Sequence, residues 1–199
     1  MNAVQPTPSG QPTPSERLSG AQPAPQRAEL LEFIAFMGAL CLFFSTLEYL
    51  FPKPFPFFRL GLANLPVLIA MKLVPMRYVL LLVLLKVLGH GLINGTLASY
   101  VFLFSFGGSF ASVFVMLGVY RLAGRHISLV GISVFGAIAS NVVQIYLSVT
   151  FIFGLTAWVI APLFVGLGVF SGVLVGLFAQ QFYEQSRWLE GIRGYFAAS

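Results

Sequence analysis

A chain of 199 residues that is 58% hydrophobic and 9% charged, with a mean hydropathy of +0.90, cannot carry the solvated surface of a water-soluble domain. Its net charge of +5 comes from basic residues scattered between apolar segments, which excludes the gathered basic patch of a nucleic-acid-binding protein. The single cysteine, Cys41, excludes a disulfide framework and a cysteine metal cluster and is expected to be packing. Together these point to an all-α polytopic membrane protein built as a six-helix bundle.

Residues 1–28 are rich in Pro, Gln, Ser and Thr, with a near-repeat of Gln5-Pro6-Thr7-Pro8-Ser9 at Gln11-Pro12-Thr13-Pro14-Ser15. They lack the apolar surface that would offset the entropy of ordering, so a disordered cytoplasmic tail is expected. No apolar core follows Met1, so a secretory signal peptide is not expected. The membrane domain is predicted over 29–184, followed by a cytoplasmic tail over 185–199.

Breaks in the apolar pattern place the helices. The first is predicted over 29–51, ended by Pro52-Lys53-Pro54-Phe55-Pro56, which no helix interior tolerates. The second, over 60–73, is short and contains Pro66. Pro75 is suited to open the third, over 76–94, which closes in the glycine-rich run from Gly89 to Gly95. The fourth is predicted over 97–123 and the fifth over 129–153. The sixth follows the Gly154-Leu155-Thr156 turn and ends near residue 183. With both termini in the cytoplasm, eight Lys or Arg residues fall inside and only Lys53 and Arg59 outside, which sets an N-in, C-in orientation in the cell membrane.

The informative residues are those that lipid disfavours. Lys86 lies ten residues into the third helix, about 15 Å from its start, where a charge costs at least ~2.5 kcal/mol unless it faces a cavity. The chain has no Asp, and its six Glu fall at or beyond the predicted span ends, so no acid is expected at this depth. His90 and Asn94 follow Lys86 at i+4 and i+8 on one helix face. On the fifth helix Ser133, Ser140, Asn141, Gln144 and Ser148 gather on one side, with Asn141 and Gln144 at the level of Lys86 and His90. Such groups commonly hydrogen-bond neighbouring helices; two stripes at one depth also make a shared pocket. Asn64 lies just inside the second helix. Arg59 in the preceding loop could clamp a carboxylate or phosphate. With no buried acid to match Arg59, Lys86 and His90, the cluster favours an anionic or polar small molecule arriving from outside.

Small residues at helix-contact spacing recur at Ala35 and Ala39 on the first helix and at Gly168, Gly172 and Gly176 on the sixth. They serve packing within the bundle or, on its outer face, a membrane partner. No GxxxxGK[ST] loop is present, so ATP-driven work needs separate subunits. No catalytic residue, metal or cofactor is expected.

The runs Arg59-Leu60-Gly61-Leu62-Ala63-Asn64, Ser105-Phe106-Gly107-Gly108-Ser109 and Gly136-Ala137-Ile138-Ala139-Ser140-Asn141-Val142-Val143-Gln144 resemble, in order and spacing, the Gx transporter family. That family is also labelled heptaprenyl diphosphate synthase component I and is related to the substrate-binding S components of energy-coupling factor (ECF) vitamin transporters. The resemblance implies a six-helix bundle that binds a small metabolite, such as a vitamin or precursor, beneath the loop between helices one and two. It also implies coupling through an AxxxA pattern, here Ala35 and Ala39, to an ECF coupling subunit with its ATPases. Family members often carry His where this chain has Ser140. A second expectation is a noncatalytic membrane partner of a prenyl diphosphate synthase. Such synthases generally hold diphosphate through Mg²⁺ on aspartate-rich motifs, which a chain without Asp cannot supply. A third is a scaffold for another membrane complex.

Overall fold

The computed structural model describes residues 24–50 and 61–186, apart from the side chains at 24–27, 49, 50 and 125. The chain divides into two units, Met1–Phe33 and Ile34–Ser199, and the packing and the site described below lie within the second. All regular structure among the described residues is helical. In chain order it comprises α1 (Ala24–Leu50), α2 (Leu65–Ala70), α3 (Met76–Ile93), α4 (Tyr100–Ala123), α5 (Leu129–Ser148) and α6 (Ala157–Gln185).

Four stretches are long and apolar enough to cross a membrane: Ala28–Glu48, Met76–Ile93, Tyr100–Ala123 and Leu129–Gln185. The expected count of six spans is not supported among the described residues, and two features of the chain bear on it. The second predicted helix, 60–73, contains only six α-helical residues, preceded by a 3-10 turn at Leu62–Asn64. At ~1.5 Å per residue that α-helix rises only about 9 Å, far short of a bilayer core. The last stretch, 57 residues long, contains both α5 and α6. Between them lie a π-helical turn at Val149–Phe153 and a 3-10 turn at Gly154–Thr156. Gly154, at φ 58°, takes the left-handed conformation that a side chain would disfavour and ends the fifth helix there.

Other boundaries shift by a few residues. The first helix begins at Ala24, inside the tail expected over 1–28, because Pro25 falls in the first turn, where its missing N–H is not needed. The fourth begins at Tyr100 and not at residue 97, because Gly95 at φ 64° and the turn through Ser99 occupy the intervening chain. Ser128 caps α5 by accepting the Gly131 N–H at 3.2 Å.

Packing follows the small residues. α5 and α6 run antiparallel and form the most extensive helix pair, followed by α4 with α5. A Cβ on Gly172 would meet the Val134 Cα at 3.1 Å, and one on Gly176 the Val130 Cα at 2.5 Å. The glycine stripe of the sixth helix therefore serves close backbone approach inside the bundle. α1 meets α3 where Gly38 lies beside Leu82 and Leu42 lies over Gly89. The core is assembled from residues such as Met37, Leu68, Leu82, Met116 and Ile132. Cys41 is fully buried within it. Large apolar side chains cover the outside: Leu122 is 91% exposed, and Leu155 and Val159 each 80%. Exposure on that scale is what a lipid-facing surface requires, and the chain is a membrane protein.

Candidate functional site

The sequence-predicted polar residues converge because the turn into α2 and the helices α3 and α5 bring polar side chains to one level. Asn64, Lys86, His90, Asn141 and Gln144 line a single cavity of about 70 Å³ between α1, the turn into α2, α3, α4, α5 and α6. Lys86, only 8% exposed, donates from Nζ to Asn64 Oδ1 at 2.5 Å. The short second segment thus brings an amide carbonyl to the buried ammonium.

His90 stands one turn further along α3, and Ser45 Oγ of α1 lies 2.5 Å from its Nδ1. Asn94 does not line the cavity. Its Nδ2 lies 3.0 Å from His90 Nδ1 and also donates to the His90 carbonyl at 3.0 Å, so it braces the imidazole from behind. The i+4 spacing placed these side chains together, and the third member of the stripe positions the second.

On α5, Asn141 donates from Nδ2 to the Phe164 carbonyl of α6 at 3.0 Å. A Cβ on Gly168 would collide with Asn141 Nδ2, so the glycine makes that bond possible. Gln144 donates to Ser140 Oγ at 3.0 Å. Gly108 of α4 faces both side chains, each 2.8 Å from where its Cβ would be. Ser140 is therefore the acceptor for Gln144 and lines the cavity.

Several contributors were not anticipated. Glu48 is 6% exposed and lines the same cavity as Lys86, which corrects the expectation that no acid lies at that depth. The physical reason is a return of the chain: the Gly61 N–H donates to Glu48 Oε1 at 3.2 Å, so the last turn of α1 is covered by the turn into α2. Gly61 adopts φ 75° to present that N–H. Ser45, Ser105, Ser109 and Ser171 also line the cavity. Their signal was spacing: Ser45 and Glu48 are three apart on α1, and Ser105 and Ser109 four apart on α4.

Arg59 and Lys53, with the loop between them, lie outside the described residues, as do residues 1–23 and the chain beyond Ser186. Ala35 and Ala39 are exposed on α1. Beside them an apolar groove of about 740 Å³ runs between α1, α2 and α6, lined by Phe36, Leu40, Pro66 and Phe182 among others. It is larger than the polar cavity but carries few groups able to orient a polar molecule. At the opposite end of α3 from Asn94, Lys72 lies over the rings of Tyr120 and Tyr183, 6.0 and 5.4 Å from their centroids. Arg121 donates to Met76 Sδ at that same end.

Among the described residues, the lining offers a small molecule hydrogen bonds to amides, hydroxyls, the His90 imidazole and the side chains of Lys86 and Glu48. Neither a curated protein nor a solved structure matches the chain. A family profile does, over residues 37–182, from the first half of α1 to the last turn of α6. With its cavity and its apolar exterior both inside that stretch, the chain belongs to the heptaprenyl diphosphate synthase component I family.

Proposed function

We propose that this chain is a noncatalytic membrane component that holds a small polar molecule in the cavity around Lys86 and acts through separate protein partners. The observation that carries the binding claim is the convergence of Lys86, Glu48, His90, Asn141 and Gln144 on one buried cavity. Buried charges are costly in a bilayer, and their retention at one level is economical only where they serve a site. Noncatalysis is supported by the sequence, which has no Asp from which to build an aspartate-rich diphosphate motif.

The family description supports a prenyl diphosphate synthase as the first partner to test. In that reading the membrane component anchors the synthase at the bilayer where its long-chain product resides. The isolated chain is then expected to show no prenyltransferase activity, and a synthase subunit is expected to co-purify with it. Prenyl transfer by the pure chain would overturn the assignment.

The cavity favours a second reading of the partnership, uptake of the bound molecule. There the exposed Ala35 and Ala39 on α1 would contact an ECF-type coupling subunit with its ATPases. Co-purification of an ATPase pair, and its loss in Ala35→Leu/Ala39→Leu, would separate this reading from the first. Both readings use a multi-pass chain with the Lys72 and Arg121 end of its bundle in the cytoplasm. The collection of Lys72 and Arg121 at one end of the bundle supports that orientation.

A further inference from the structure

The wall that α4, α5 and α6 give the cavity has a chemistry of its own. From these helices the lining is hydroxyl, amide, glycine and small apolar residues. On α5 it runs from Ser133 to Gln144, which at ~1.5 Å per residue is about 16 Å of helix. A cavity of 70 Å³ has room for about five waters, so it is slender for that length.

Buried polar groups normally find partners, and several on this wall do not. Ser133 of α5 is 3% exposed and lines the cavity, as does Ser109 of α4, and neither hydroxyl has a hydrogen-bond partner among the described residues. Asn141 donates from Nδ2 to the Phe164 carbonyl, which can only accept, so the amide has one orientation. Its Oδ1 is left as an acceptor without a partner among the described residues. Ser112 gives the contrast. It is 1% exposed and its Oγ is likewise unpartnered, but it does not line the cavity. It faces α5, 2.8 Å from where a Cβ on Gly136 would be.

An open amide oxygen and two rotatable serine hydroxyls are satisfied together by a group that both donates and accepts. A hydroxyl does both, whereas an ammonium only donates and an ether, carbonyl or ionised phosphate oxygen only accepts. We propose that the bound molecule turns a hydroxyl-bearing segment to this wall, so that the cavity selects a slender polyol or polyhydroxylated chain. Ser109, Ser133 and Asn141 are then its specificity-determining contacts. This rests on the binding reading above and adds the class of molecule.

The test uses the full chain in lipid nanodiscs and two uncharged probes of equal heavy-atom count. Glycerol donates and accepts through its hydroxyls; 1,2-dimethoxyethane only accepts. Affinities are read by ligand-observed NMR titration, with protein-free nanodiscs as the blank. Glycerol is expected to bind at least about fivefold more tightly. The double variant Ser109→Ala/Ser133→Ala is expected to lose about three- to tenfold of the glycerol affinity and little of the other. Ser112→Ala is expected to leave both affinities unchanged and to raise the unfolding temperature, since it removes a buried hydroxyl that has no partner. Equal or tighter binding of 1,2-dimethoxyethane to the unaltered chain would overturn the polyol class and leave the binding reading intact. So would a double variant that keeps its glycerol affinity, or a loss in Ser112→Ala as large as in the double variant. Binding of neither probe leaves the wall to water and overturns the class; if no small molecule is retained through purification either, the binding reading falls with it.

Discussion

Lys86 and Glu48 show what a single residue can and cannot disclose before the fold is known. Lys86 declares itself, because an ammonium ten residues into an apolar helix has few tolerable environments, and it is found buried against Asn64. Glu48 does not, because Pro52 follows so closely that the carboxylate reads as the polar end of a span. Its burial depends on Gly61, thirteen residues later, and no local periodicity reports a contact of that kind. His90 and Asn94 were legible as a stripe, but their distinct roles, one in the cavity and one behind it, emerge only from the hydrogen bonds. At this scale Asn64→Ala is expected to weaken ligand binding as well as lower stability, since it leaves the buried Lys86 ammonium without its amide acceptor. Losing a hydrogen bond to a charged group costs about 1.5–3 kcal/mol. Thermal unfolding in detergent, with and without ligand, measures both effects. Gly168→Ala is expected to cost about 1–3 kcal/mol through overpacking. It should also break the Asn141 bond to Phe164, visible as a lower unfolding temperature and weaker binding in one variant.

Elements were predicted best where glycine and proline punctuate long apolar runs. α3, α4 and α6 lie within a few residues of their expected limits because Pro75, Gly124 and the Gly154 turn interrupt the apolar pattern. Span number was less legible. Residues 60–73 are apolar apart from Asn64 and Lys72, yet only Leu65–Ala70 is α-helical, and composition does not distinguish a helix that spans from a short one that starts beside the cavity. Nor does it show that a stretch of 57 residues folds back on itself through a π turn. The glycine stripe on α6 could have served packing or a partner, and its approach to Val130 and Val134 assigns it to packing. Gly176→Val is therefore expected to lower the unfolding temperature. Gly118→Ala is the control: nothing lies within 4 Å of its added Cβ. That change is expected to be neutral or stabilising by up to ~1 kcal/mol from helix propensity alone. Orientation is tested at this scale too. A reporter active only outside the cytoplasm should work when fused at Thr96, after α3, and fail at Gly124, after α4. The reverse pattern would invert the proposed topology.

For the molecule as a whole, the exterior and the cavity carry opposite chemistry, and each accounts for one half of the proposal. The exposed leucines, phenylalanines and valines place the chain in lipid, a conclusion that composition alone reached. The cavity gives it something to hold, and the polar stripes of the third and fifth helices pointed there before any contact was known. What sequence left out was the acid: the cluster that led to the expectation of an anionic or polar molecule shares its cavity with Glu48. The family match favours the synthase partner, already among the expectations, without placing any catalytic group on this chain. The central claim is that the cavity is occupied by a small polar molecule. Native mass spectrometry of the full chain released from its own membrane tests it most directly, with Lys86→Ala examined in parallel. An added small-molecule mass is expected on the unaltered protein and is expected to be absent from a folded Lys86→Ala variant. A protein that carries no such mass, or one that both proteins retain equally, would contradict it.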